Sequence, residues 1–366
     1  MNQLAWRFLC AMGISFVLLP TTRCDGQELR LNQIQTIGTH NSYRLTPPPE
    51  ILSMIRLALP DAADALDYSH LPIPQQLGEL NIRQLELDIY ADPEGGLFAN
   101  PVGHESLPKT PENAARHPNV DGEMDAPGMK VLHSPGFDYG STVPTFVAAL
   151  RQIRRWSQSN PTHLPILILV ELKESAVGPV LVKPVAFDAA LLDAVDAEIR
   201  SVFSNDEMLL PDGIRGDSET LRDAIMQTGW PTLQQSRGRV WFALDNEGTI
   251  RDRYLDGHES LRDRVMFASV PVDHPAAAFR KLNDPVGSFA EIQDAVRRGL
   301  IVRTRADSET REARSGDTTR RDRALQSGAQ YISTDYPVAD PRLTDYRVRL
   351  EGGAEYRSNP VASVSE

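Results

Sequence analysis

Ile166-Leu167-Ile168-Leu169-Val170-Glu171-Leu172-Lys173 is a strongly apolar run that ends in two charges. A short apolar run of this kind reads as a buried strand. Burying a charge without a partner is costly, so Glu171 and Lys173 mark the strand's end. Residues two apart in a strand face the same side, and these two therefore point together. Similar apolar segments recur at 34–39, 85–90, 240–244, 265–270, 300–304 and 331–334, with a short one at 130–133. Amphipathic stretches lie between them. Phe146, Leu150, Ile153 and Trp156 share one helical face behind Pro144, as do Phe187, Leu191, Val195, Ile199 and Val202. Two more helices are expected at 289–298 and 319–327. This alternation predicts an α/β chain folded as a closed, irregular parallel barrel of the TIM (β/α)8 type, in one domain. An open doubly wound sheet is the alternative.

The anomaly at 166–173 repeats on the earlier strands. Segment 34–39 runs into His40 and Asn41, and the second strand reads Leu85-Glu86-Leu87-Asp88-Ile89-Tyr90. Glu86 and Asp88 share a face, with Leu85, Leu87 and Ile89 on the other. In a parallel barrel, polar groups at the C-terminal strand ends form the site. Glu86, Asp88 and Glu171 with the amide oxygen of Asn41 make a hard, oxygen-rich cage, which favours Ca²⁺ over Zn²⁺. His40 and His133, the latter closing Lys130-Val131-Leu132-His133, are then left for proton transfer. His104, His117, His163, His258 and His274 are less promising. No His-x-x-x-His zinc spacing, Gly-rich phosphate loop or Gly-x-Ser-x-Gly elbow occurs.

The remaining features bound the setting. The chain has 366 residues, 41% hydrophobic and 24% charged, with a formal charge of −12. Arg7, the apolar run Phe8 to Leu19 and the polar stretch after Pro20 read as a signal peptide over 1–26, cleaved between Thr22 and Gln27. Both cysteines, Cys10 and Cys24, lie in that segment, so the barrel at 27–350 is expected to hold without disulfides or zinc–cysteine sites. The protein is expected to be secreted or periplasmic, and a monomer. Its acidity argues against nucleic acid and against electrostatic adsorption to anionic membranes. A helical insertion is expected at 51–76, and a long Pro/Gly-rich loop at 92–129 is placed to act as a lid over the active face. The polar tail at 351–366 is expected to be flexible.

Ile37-Gly38-Thr39-His40-Asn41-Ser42-Tyr43, then Glu86-Leu87-Asp88, His133 and Glu171, resembles the catalytic region of calcium-dependent phosphoinositide phospholipases C. Ala91-Asp92-Pro93-Glu94-Gly95-Gly96, Trp156-Ser157, Gly238-Arg239-Val240, Val302-Arg303-Thr304-Arg305-Ala306-Asp307 and the segment from Ser327 to Tyr336 extend the likeness to a bacterial branch. The resemblance covers about Leu31 to Asp345. It implies a distorted TIM barrel, catalytic histidines at His40 and His133, and calcium ligands at Asn41, Glu86, Asp88 and Glu171. The stretch between Asp88 and His133 is long beside the eukaryotic signalling enzymes. Ala243-Leu244-Asp245-Asn246 stands where those enzymes carry lysines for extra inositol phosphates. Plain phosphatidylinositol or a similar diester is therefore the expected substrate, met by transient contact with a membrane surface.

The resemblance also implies a reaction. The neighbouring inositol hydroxyl attacks phosphorus and diacylglycerol leaves, giving a cyclic inositol phosphate. His133 is the expected general acid, His40 mainly stabilises the phosphoryl group, and a cage carboxylate or His40 takes the hydroxyl proton. Lys173 and Arg305 are candidates for substrate binding, with Asp245 and Asp335 weaker ones. The rivals are a glycerophosphodiester phosphodiesterase on the same barrel and a non-catalytic exported lipid- or sugar-binding protein.

Overall fold

The computed structural model describes residues 29–175 and 182–362. The leader reading at 1–26, with both cysteines, lies outside them. Among the described residues ten strands form: β1 (Ile34–Thr39), β2 (Gln84–Tyr90), β3 (Lys130–Val131), β4 (Ile166–Leu172), β5 (Val240–Leu244), β6 (Met266–Ala268), β7 (Phe279–Lys281), β8 (Ile301–Arg305), β9 (Tyr331–Thr334) and β10 (Arg357–Ser358). Eight of them run parallel in the order β6-β5-β4-β2-β1-β9-β8-β7. A bridge between Ser269 and Phe279 joins the two ends and closes the ring. The fold is the distorted (β/α)8 barrel that the alternating pattern predicts.

One strand assignment is corrected. Segment 130–133 is not a barrel strand: β3 pairs antiparallel with β2, through Ile89–Val131 and Tyr90–Lys130. The missing barrel strand is β7, which reads Phe-Arg-Lys and has two half-buried charged residues. It carries no apolar run, so pattern reading passes over it.

Strand parity divides the barrel interior. Trp241, Phe267, Phe279 and Tyr331 meet inside its N-terminal half, with ring centroids 5.4–6.0 Å from Trp241. Counting on by twos from these positions leads to Asp245, Lys281 and Asp335 at the C-terminal ends. The opposite faces are apolar and pack on helices. Of the helices, α1 (Pro49–Ala58), α2 (Pro60–Leu66) and α3 (Ile73–Glu79) fill the insertion after β1. The 92–129 segment holds the short α4 (Val102–Glu105) and α5 (Pro111–Ala115), and α6 (Phe146–Ser159) follows β3. Thr145 caps α6, its side chain accepting from the Ala148 amide.

Gly38 fits a close approach in β1. A Cβ there would lie 2.1 Å from Oε1 of Gln84 and 2.6 Å from its Cβ, so a side chain would force β2 away. At the other end of β1, β10 pairs antiparallel with Ile34 and Gln35. Asn359 is buried there and donates to the Gly328 carbonyl. Part of the stretch assigned to a flexible tail thus packs on the barrel floor. No described helix is long and apolar enough to cross a membrane.

Candidate active site

His40 follows β1 directly, where the pleat ends. Its Nδ1 lies 2.7 Å from Oδ1 of Asp335, just past β9, and 3.2 Å from the Tyr68 hydroxyl. Its Nε2 faces Glu86 at 3.6 Å and Arg305 at 3.3 Å. Burial, and then Arg305, pull the imidazole down to about 3 against the opposing pull of Asp335. His40 is therefore neutral near pH 7, and its donation to Asp335 leaves an Nε2 lone pair toward the acids. Burial pushes Asp335 up, but His40 and Arg305 outweigh it and hold the carboxyl below its ordinary range.

His133 has the same construction. Its Nδ1 lies 2.5 Å from Oδ2 of Asp138. Nη2 of Arg44, fully buried, donates to both oxygens of Asp138 at 2.9 Å each. Burial raises Asp138, but Arg44 and then His133 prevail and set it at about 2. The Arg44 guanidinium also lies 4.4 Å from the centre of the Tyr68 ring. Tyr68 thus touches the support of both histidines.

Beside the His40 dyad lies the acid cluster. One carboxylate oxygen each from Glu86, Glu171 and Asp245 fall within 4.8 Å of one another. Three cations thread the cluster. Arg303 donates to Glu86, Lys281 lies 2.8 Å from Asp245, and Lys173 lies 3.1 Å from Asp88 and 3.2 Å from Glu171. Burial first lifts Glu86 to about 7, with Asp245 and Glu171 adding to it against Arg303. Burial also drives Asp88 well above its ordinary value, with Lys173 opposing. Oδ1 of Asp88, of Asn41 and of Asp245 each lacks a hydrogen-bond donor, and all three are buried. Asn41 has φ 46°, a left-handed conformation that asparagine tolerates better than most residues.

The sequence-derived cage is thus brought to one end of the barrel. Asp88 sits outside the tightest triad, beside Glu171 in strand register and ion-paired to Lys173. Asp245, read only as a weaker substrate-side candidate, joins the triad. Four supporting residues escape sequence reasoning: Arg44, Tyr68, His70 and Asp138. His70 is buried in the insertion, its Nε2 2.8 Å from the His40 carbonyl, and burial lowers it to about 4. Only Asp138, five residues after His133, offered a local signal.

Residues 29–360 match the family model for phosphoinositide phospholipase C, Ca²⁺-dependent. Among solved structures, two of a calcium-dependent phosphoinositol-specific phospholipase C from the Gram-negative bacterium Pseudomonas sp. are similar. One apo form superposes with a TM-score of 0.55 at 16% identity, covering 90% of this chain and 95% of that one. The myo-inositol complex gives 0.54 at 16% identity, covering 90% and 96%. At that identity the likeness speaks for the fold. No curated protein sequence matches. The family match spans nearly all the described residues, so this chain belongs to the Ca²⁺-dependent phosphoinositide phospholipase C family and is a phosphoric diester hydrolase.

Proposed function

We propose that the enzyme cleaves phosphatidylinositol-type diesters in a calcium-dependent reaction, releasing diacylglycerol and an inositol phosphate that is first cyclic. The observation that carries this reading is the pair of carboxylate-backed imidazoles beside an all-oxygen acid cluster. Calcium fits that cluster. The donors are hard oxygens, and the buried Oδ1 atoms of Asn41, Asp88 and Asp245, which lack a donor, are suited to a cation. Asn41, Glu86, Asp88 and Glu171 would hold it, with Asp245 at the edge. When bound, the ion supplies charge neutralisation to the phosphate and acidity to the attacking hydroxyl.

The residues divide the proton transfers. His40, neutral and backed by Asp335, takes the hydroxyl proton at Nε2 while the oxygen bonds to phosphorus. Of the two acceptors that the sequence left open, a cage carboxylate or His40, this assigns the proton to His40. Arg305, beside the same nitrogen, steadies the phosphoryl oxygens, and Lys173 does so from just past β4. His133 gives its Nε2 proton to the glycerol oxygen as the phosphorus–oxygen bond breaks, and Asp138 stabilises its imidazolium form. Hydrolysis of the cyclic ester runs the roles in reverse with water.

The insertion after β1 supports contact with lipid. Leu57 and Leu59 are 90% and 62% exposed, with Met54, Leu71 and Leu45 also open. They form an apolar rim suited to dipping into a bilayer surface. The leader reading supports a secreted or periplasmic enzyme. Product analysis tests the whole reading. Calcium-dependent release of diacylglycerol from phosphatidylinositol is expected, whereas exclusive turnover of glycerophosphoinositol would favour the glycerophosphodiesterase rival.

A further inference from the structure

A cavity of about 770 Å³ lies behind the catalytic segment, walled by α6, by residues 139–144 and by residues 115–124 of the long insertion. That volume lies in the range of small-ligand pockets. None of the acid cluster and neither catalytic histidine lines it. The partition is thin: Leu132 lines the cavity while His133, the next residue, reaches Asp138, and Tyr139 lines it immediately after Asp138.

The lining is divided. Met124, Leu132 and Val143 are buried and give it an apolar floor, while Arg151 and Arg155 reach it from one face of α6. Neither guanidinium makes an ion pair or side-chain hydrogen bond with any described residue. Arg154, between them in sequence, is engaged at 2.9 Å by Glu207, and all three arginines also line a smaller cleft beside Ser201. Like charges four apart on a helix repel, and this chain has 50 acidic residues against 38 basic ones with which to neutralise them. Asp121 and Glu123 share the lining and pair with neither arginine.

We propose that this cavity is a second binding site, for a single-chain amphiphile with a phosphomonoester head. Two adjacent guanidiniums match a dianionic phosphate in charge and offer forks of donors to its oxygens. The apolar floor takes the alkyl chain. The site is independent of the proposed reaction, since it shares no catalytic or calcium-holding residue with it.

Decyl phosphate is the probe, titrated calorimetrically into the whole protein, with decanoate and decanol as comparison ligands. Saturable binding of one decyl phosphate is expected, unchanged by His40→Ala. Decanoate should bind at least fivefold more weakly and decanol not measurably. Arg151→Glu with Arg155→Glu should weaken decyl phosphate at least tenfold. Ala148→Trp, which fills the cavity from α6 without altering charge, should do the same. Both sites of charge reversal are exposed, and circular dichroism checks the folding of each variant. Absence of saturable binding, or parental binding in both the charge-reversed and the filled variants, overturns the proposal. Loss of binding in His40→Ala also overturns it, because the ligand would then sit in the catalytic centre. Decanoate binding as tight as decyl phosphate overturns the phosphate assignment, and equal binding of decanol overturns the anionic head altogether.

Discussion

Nη2 of Arg44 lies 2.9 Å from each carboxylate oxygen of Asp138, and the pair is almost wholly buried. Removing one partner of a buried pair strands the other charge, at a cost of about 3–5 kcal/mol. Arg44→Met should therefore lower stability by that order in urea denaturation. Its pH dependence has a sign. Asp138 is held at about 2 in the folded protein. Its contribution is present above the ordinary carboxylate value and is lost as pH falls through about 2. Without Arg44 the folded value rises toward the ordinary one, so the loss of stability between about pH 4 and 2 should shrink in the variant. An unchanged acid limb would show that Arg44 does not set Asp138.

His40→Ala and His133→Ala should each lower turnover by about 10²–10⁴-fold, with circular dichroism unchanged. Asp335→Asn and Asp138→Asn should lower it too, because each leaves its imidazole without the carboxylate that accepts Nδ1–H. Parental rates in both histidine variants would dismiss the assignment.

Calcium should lessen a pH-dependent weakness of the metal-free protein. Glu86 is raised to about 7, so the stability it contributes is present below the ordinary carboxylate value and is lost as pH rises through about 7. Asp307, raised to about 7 by burial and by Asp335, acts in the same direction. His40 and His70, lowered to about 3 and 4, act oppositely, contributing above about 6.5 and losing it as pH falls. In chelator, Tm should fall between pH 6 and 8. Calcium should reverse part of that fall, and Glu86→Gln should flatten it without calcium. An equal calcium-induced rise in Tm at pH 5 and pH 8 would remove Glu86 from the site.

Leu57→Ser with Leu59→Ser should lower activity on phosphatidylinositol vesicles about tenfold or more, since an apolar side chain gains roughly 1.5–3 kcal/mol on full burial. Turnover of a soluble, short-chain substrate should stay near parental. Equal loss on both substrates would place the effect inside the enzyme rather than at its membrane contact.

The chain's own pattern made much of this site readable. Glu86, Asp88 and Glu171 stand out because a charge in an apolar strand is rare and strand parity tells which face it takes. β4 is visible for the same reason, and β7 is not, because Phe279-Arg280-Lys281 has no apolar repeat and is held by its neighbours' register. Asp335 and Asp245 were visible as residues but not in their roles. Those roles arise only when ring closure brings β9 beside β1 and β5 near β2. Tyr68 and His70 lie in the helical insertion, and nothing local announces that it folds back over His40.

The barrel is stitched unevenly. Between β6 and β7 the ring holds by the Ser269–Phe279 bridge, helped by the Ser269 hydroxyl accepting from the Lys281 amide at 3.0 Å. A hoop gives first at its thinnest joint. Were that joint to part, β7 would carry Lys281 away from Asp245, and the acid cluster would lose one of its counter-charges. Breathing of the scaffold and the electrical balance of its mouth are thereby geared together.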